Sequence, residues 1–228
     1  ACLRERTMSA LSKKAIEERL SATDFKRLTV SPILDRRQIG PSSIDLRMGN
    51  VVMVAKAGGQ SHVEPAVYKK VKDHDCVRYK QQKHERVDIP FGKPFLLHPG
   101  TLALVPTLEW VHLPVDLQGI VTARSSWARE GLNIATATIV NPDYRGIITL
   151  ELANFGEIPI ELYPGLRLAQ IASHLLEDAP TEGHDGQLNM TFEPAAGDNS
   201  QDDDYFIPVK ENKEKSATCS DGSDGCVV

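Results

Sequence analysis

Between Ile89 and Leu176 a turn signal interrupts the chain about every dozen residues: LLHPG, LPVD, VNPDYRG, NFGEIP and LYPG. Between the turns lie LALVPTLEWVHL, LQGIVTA, IITLELANF, IPIELY and LRLAQIASHLL, all rich in Val, Ile, Leu and Thr. Alternation is clearest in IITLEL and IPIEL, and the Val, Ile and Thr content suits a pleated, half-buried surface. The spacing predicts a mainly β domain, a sandwich, jelly roll or barrel. The upstream segment IGPSSIDLRMGNVVMVAK continues the pattern.

Two helices interrupt it. From Ser9, SALSKKAIEERL sets Leu11, Ala15, Ile16 and Leu20 at helical spacing, so an amphipathic helix is predicted to open the domain. SSWAREGL predicts a short helix near 125–130, capped by Ser125 or Ser126 and ended by Gly131. Residues 1–8 are expected to be a leader, 9–176 the folded domain, and 69–86, with seven Lys/Arg and three Asp/Glu, a solvated insertion. Residues 177–228 form an acidic, polar tail in which 177–204 hold nine Asp/Glu and no Lys or Arg; it is expected to be partly disordered, although TFEP and DYFIPV can dock locally.

A net charge of -5 argues against a surface built to coat nucleic acid. Cys2, Cys76, Cys219 and Cys226 form no CxxC or CxxH pair, so neither a zinc knuckle nor a disulfide framework is indicated, and a cytoplasmic setting is expected. No apolar run approaches the length of a membrane span.

Chemistry concentrates in residues 124–154, RSSWAREGLNIATATIVNPDYRGIITLELAN. Arg124, Ser125, Ser126 and Arg129 offer two guanidinium forks and two hydroxyls, which suit either a phosphate chain or an ordinary solvated helix. Glu151 shares a strand face with Thr149 and Ala153, opposite Leu150 and Leu152. That face is either solvated or a pocket, and in a pocket the carboxylate would have a raised pKa and could carry protons near neutrality. His98, Trp110 and Trp127 read as turn or packing residues.

The set IGPSSIDLRMGN, HPGTLALVPTLEWVHLP, RSSWAREGL, TATIVNPDYRGIITLELAN and IPIELYPGLRLAQI resembles the dCTP deaminase branch of the trimeric dUTPase-like superfamily, in order over residues 9–176. The resemblance implies a distorted β-barrel or jelly roll, a homotrimer with active sites between subunits, and deamination of dCTP to dUTP and ammonia by zinc-independent water attack at C4. Magnesium would enter bound to the nucleotide phosphates, and neither nucleic acid nor membrane would be a partner. It further implies that Glu151 is the catalytic proton carrier, that Arg129 and Ser125 hold water and base, and that the backbone of Ala137 faces the nucleobase. Arg124 and Ser126 would meet the phosphates, Asn141 would lie at the nucleotide, Tyr144 would pack under the deoxyribose and Gln170 would lie nearby, while Asp45 and Arg47 would be mainly structural, supporting the subunit contact. Where relatives carry a carboxylate this chain has Asn141, a poor base, so deamination without efficient dUTP hydrolysis is expected. The alternatives are a dUTP diphosphatase, a bifunctional enzyme forming dUMP, and a catalytically weak nucleotide-binding regulator. The loop GLNIATA lacks the histidine often present in relatives, and Tyr205, Lys210 and Lys213 stand where a phosphate-closing segment would be sought.

Overall fold

A computed structural model describes residues 9–56, 84–134, 137–178, 180 and 190–194. The expected leader, most of the charged stretch 69–86 and most of the tail lie outside the described residues. The described chain is mainly β, as the turn spacing predicts. Its strands are β1 (Ser9–Ala10), β2 (Thr29–Ser31), β3 (Ile44–Arg47), β4 (Val51–Ala55), β5 (His84–Asp88), β6 (Phe95–Leu97) and β7 (Leu102–His112), followed by β8 (Leu117–Ala123), β9 (Leu132–Ile134), β10 (Ile139–Val140), β11 (Arg145–Asn154), β12 (Ile160–Leu162) and β13 (Arg167–Leu175). Two helices, α1 (Lys13–Ser21) and α2 (Ser125–Arg129), complete the set together with one 3-10 turn, Arg36–Gln38.

One sheet runs β1-β13-β8-β10 with β3 also on β13; a second runs β5-β4-β7-β11-β9 with β2 also on β7; β12 and β6 form a separate ribbon. Among the described residues these sheets do not close into a barrel, so of the expected architectures the layered, jelly-roll-like one fits. Alternation sets which side chains face inward: β3 reads buried, half-buried, buried, half-buried, and Leu150 and Leu152 of β11 are fully buried beside the half-buried Thr149 and Glu151. The inward residues of both sheets form one core cluster, including Leu46, Val105, Val121, Leu152 and Ile171.

The opening helix starts later than predicted. Ser9 and Ala10 pair with Leu175 and His174 as β1, and Ser12 then caps α1, its hydroxyl accepting from the Ala15 N–H at 3.4 Å. A serine that can satisfy an orphan amide favours the first turn, so the residues upstream of it are left to pair as a strand. Ile16 packs into the core, and Arg19 donates to both oxygens of Asp116 at 2.6 and 3.2 Å, fastening α1 to the approach of β8.

Two other boundaries shift. His84, Glu85 and Arg86, read as the end of the insertion, begin β5, whose charges suit the edge of its sheet. Thr191 of TFEP docks, its carbonyl accepting from the Ile147 N–H at 3.1 Å, while Met190 N–H donates to the Arg145 carbonyl at 2.5 Å.

Candidate functional site

The outward side of the five-stranded sheet carries a polar row fixed by register. Gln170 stands opposite Asp45 on one side and Thr122 on the other. Its amide donates to Thr122 Oγ1 at 3.2 Å, and Ser43 Oγ donates to its carbonyl oxygen at 3.4 Å. At the end of this row β8 passes into α2, and the Arg124 N–H still donates to the Leu168 carbonyl at 2.9 Å before the chain turns.

This junction places Arg124 against Asp45, with Nε 3.4 Å from Oδ1, while Arg167 Nη1 donates to Oδ2 of the same carboxylate at 3.1 Å. Arg47, the Cα partner of Arg167, donates through Nη1 to the Gly165 carbonyl at 2.9 Å. The Trp127 indole donates to the Arg167 carbonyl at 3.0 Å and ties α2 to the start of β13. Arg47, Arg124, Arg167, Ser126, Trp127 and Glu130 border a cavity of about 410 Å³. Of the predicted residues it gathers Arg124 and Ser126. Ser125 and Arg129 are exposed on α2, and Gln170 lies in the adjoining row.

The serine cap predicted for α2 is absent. Arg124 occupies the cap position with extended backbone and no side-chain cap bond, so Ser125 and Ser126 are already helical residues. Its continued pairing with Leu168 holds Arg124 extended, which moves the boundary one residue upstream. The helix does end at Gly131, in a left-handed conformation with φ 90°.

Glu151 belongs to the other sheet. It stands opposite Leu104 on β7, half-buried, and burial raises its carboxyl pKa above the usual value. Asn141 and Asp143 occupy the turn between β10 and β11, which the Tyr144 N–H closes on the Asn141 carbonyl at 3.2 Å. Asp143 takes a left-handed φ of 61° and is engaged by Arg145, Nη2 to Oδ1 2.8 Å, with His112 Nε2 3.7 Å away. Asn141 and Ala137 are exposed. Tyr144 is a core residue of this chain: it is 8 % exposed, its hydroxyl donates to the Ile147 carbonyl, and burial pushes its pKa to about 12. Among the described residues no cluster of three or more His, Cys, Asp or Glu is arranged to hold a metal ion, and no helix is long and apolar enough to cross a membrane.

The residue that sequence reasoning missed is Glu109. Its side chain is wholly buried, with Oε1 accepting from Gln38 Nε2 at 2.8 Å and Oε2 from the Arg47 N–H at 2.8 Å. The pairings Ile147 to Trp110 and Thr149 to Pro106 leave three residues of β7 against one of β11, a bulge that Thr107 bridges by accepting from the Ile148 N–H at 2.9 Å. The signal was present: Ala103, Val105, Thr107, Glu109 and Val111 share one strand parity, so a carboxylate stood in an otherwise inward series.

A profile of the dCTP deaminase-like family matches residues 10–175. Among curated proteins the chain is 36 % identical over 203 residues to one from Dictyoglomus turgidum named dCTP deaminase, dUMP-forming, covering 88 % of this chain and 96 % of that one. It is 36 % identical over 165 residues to a protein of the same name from Methanobrevibacter smithii, covering 72 % and 79 %. Among solved structures, the 2'-deoxycytidine 5'-triphosphate deaminase of Agrobacterium tumefaciens is similar, with a TM-score of 0.54, 25 % identity and coverage of 75 % of this chain. The match takes in 49 % of the Agrobacterium chain, about half its length.

Proposed function

The chain belongs to the dCTP deaminase-like family, and from that premise we propose that it deaminates dCTP at C4 of the cytosine ring. Water adds at C4, the 4-amino group leaves as ammonia, and the ring becomes uracil. The observation that carries the reading is Glu151, a half-buried carboxylate with a raised pKa on the outward face of β11. An ionised Glu151 takes one proton from the attacking water and passes it to ring N3, then carries the second, from the new C4 hydroxyl, to the departing amine, transfers that a pKa nearer neutrality favours. Arg129 and Ser125 hold the water and base, the backbone of Ala137 lines the base, and Arg124 and Ser126 meet the phosphates. Asn141 and Gln170 flank the nucleotide, and Tyr144 supports the sugar from within the core. Magnesium would be held by the nucleotide's own phosphates, where it would neutralise part of their charge. The site is completed between subunits of a homotrimer, with α2 of one subunit facing β11 of the next.

On this reading the product is dUTP. Cleavage of the phosphate chain needs a base for a second water; residue 141 is an amide, and Asp143 is turned onto Arg145. A second reading, in which the chain goes on to dUMP and pyrophosphate, is supported by the names of the Dictyoglomus and Methanobrevibacter relatives.

Chromatography of dCTP incubated with protein, Mg²⁺ and a zinc-selective chelator tests both readings. Ammonia with dUTP is expected, dUMP with pyrophosphate would establish the second reading, and no ammonia would refute deamination. Glu151→Gln is expected to lower kcat by roughly 10²–10⁴-fold with nucleotide binding retained. The native rate is expected to fall on acidification at a pH above the ordinary glutamate range, because Glu151 must be ionised to accept a proton and burial raises its pKa.

A further inference from the structure

The proposed deamination makes no use of residues 190–194, yet they are fastened to two strands of the six-stranded sheet. Met190 N–H donates to the Arg145 carbonyl at 2.5 Å and the Thr191 carbonyl accepts from the Ile147 N–H at 3.1 Å, so the segment pairs with the start of β11. Two residues on, Glu193 reaches Arg86 of β5 at 3.0 Å. In the sheet order β7 and β4 lie between those two strands, so the segment crosses them on the outward face, the other face being turned to the core. Glu151 points from that same face. It stands opposite Leu104, Leu104 opposite Met53 and Met53 opposite Arg86, a single row across the sheet. Leu104 and Ile147 are buried there without belonging to the core cluster, as residues under a strap would be.

This segment meets the proposed site at Tyr144. The phenol donates to the Ile147 carbonyl, and the N–H of that same residue is held by Thr191. Burial pushes the phenol pKa to about 12, and a side-chain hydrogen bond from Thr191 opposes the rise, as a bond donated to the phenol oxygen does. The hydroxyl is thus engaged as donor on β11 and as acceptor on the segment, which fixes the ring. Gly146 makes the approach possible: a Cβ there would lie 3.2 Å from the Thr191 carbonyl oxygen and 3.3 Å from both the Thr191 nitrogen and the Tyr144 hydroxyl. Met190 takes a left-handed φ of 62°, which a residue with a side chain keeps only where its surroundings hold it. We infer that residues 190–194 are a strap that sets the sugar side of the site, with Thr191 as the positioning residue that holds the Tyr144 ring for the nucleotide. That Tyr144 meets the sugar rests on the deaminase reading; the hold of the strap on Tyr144 does not.

The test compares Thr191→Val, Thr191→Ser, Tyr144→Phe and the double variant Thr191→Val with Tyr144→Phe against the native chain. Steady-state kinetics of dCTP deamination are measured on each, and calorimetric dCTP binding on the same chains carrying Glu151→Gln, so that bound dCTP is not consumed. Loss of one neutral hydrogen bond in Thr191→Val is expected to weaken dCTP binding and raise KM about fivefold, with kcat within about twofold of native. Thr191→Ser keeps the hydroxyl and is expected to stay within about twofold of native in all three. Because Thr191 acts through the phenol oxygen, adding Thr191→Val to Tyr144→Phe is expected to change binding by less than about twofold. If the Tyr144 variants do not fold, the contrast of Thr191→Val with Thr191→Ser decides. Binding by Thr191→Val within about twofold of its reference, an equal loss in Thr191→Ser, or an undiminished loss on the Tyr144→Phe chain would overturn the inference. If dCTP binds but the native chain releases no ammonia, the deaminase reading falls and the binding series alone decides the strap. If the native chain deaminates dCTP and Thr191→Val does so with an unchanged KM, the deaminase reading stands and the strap assignment falls. A chain that binds no dCTP overturns both.

Discussion

At the scale of single residues, the two carboxylates Glu109 and Glu151 differ in what surrounds them. Both have raised pKa values with burial as the leading cause, but Glu109 also accepts hydrogen bonds from Gln38 and from the Arg47 backbone, which oppose the shift. Both groups facing Glu109 are donors. Glu109→Gln must therefore aim its NH₂ at one of them, and Gln38 cannot flip to help because its Nε2 also donates to the Asp45 carbonyl at 2.9 Å. A loss of about 1–3 kcal/mol in urea unfolding is expected. The raised folded pKa fixes the sign of the pH dependence. The contribution of Glu109 titration is fully present below the unfolded carboxylate pKa and is lost as pH rises through the folded value. The stability gap between native and variant should therefore narrow with rising pH across that window; a gap that widens would contradict burial as the dominant cause. Glu151 was legible because its strand alternates cleanly, whereas Glu109 sits in a bulge where a carboxylate shares the parity of core residues. The Arg167–Asp45 contact joins residues 122 positions apart and arises from strand register, which no local pattern carries.

At the scale of elements, the short helix is held by the end of β11 as much as by its own sequence. Gly131 has φ 90°, and a Cβ there would lie 2.7 Å from the Gly156 nitrogen and 2.9 Å from its Cα, both backbone atoms that cannot swing aside. The Gly131 carbonyl also accepts from the Phe155 N–H at 2.9 Å, so α2 and the end of β11 are latched through one peptide. Gly131→Ala is expected to cost roughly 1–3 kcal/mol from the left-handed backbone and the contact together. Gly92→Ala, at φ 82° with nothing within 4 Å of the new Cβ, carries only the conformational part. Denaturant unfolding of the pair isolates the steric share, and equal losses would show that the latch is not tight. The sequence placed the end of α2 at this glycine because a C-terminal left-handed residue is a local signal. It misplaced the start because the backbone of Arg124 is claimed by β13, a partner more than 40 residues away.

At the scale of the whole molecule, the pieces of the proposed site lie on different sheets. Arg124 and Ser126 border a cavity beside the five-stranded sheet, while Glu151 faces outward from the six-stranded one. Near the end of β11, Leu102 is 41 % exposed and Phe155 73 %, apolar surface near the half-buried carboxylate of the proposed reaction that a second copy of the chain can cover. Light scattering at micromolar concentration is therefore expected to give the mass of three chains, and a stable monomer would remove the shared site. Mixing two crippled chains asks the sharper question. Glu151→Gln and Arg129→Ala should each be nearly inactive alone. If Glu151 of one subunit works with Arg129 of the next, an equimolar co-assembled trimer contains sites that draw each native residue from a different chain. Each of the two contributions is native with a chance of one half, so about a quarter of the sites recover. If both residues act within one chain, no site in the mixture has both, and activity stays at the level of the single variants.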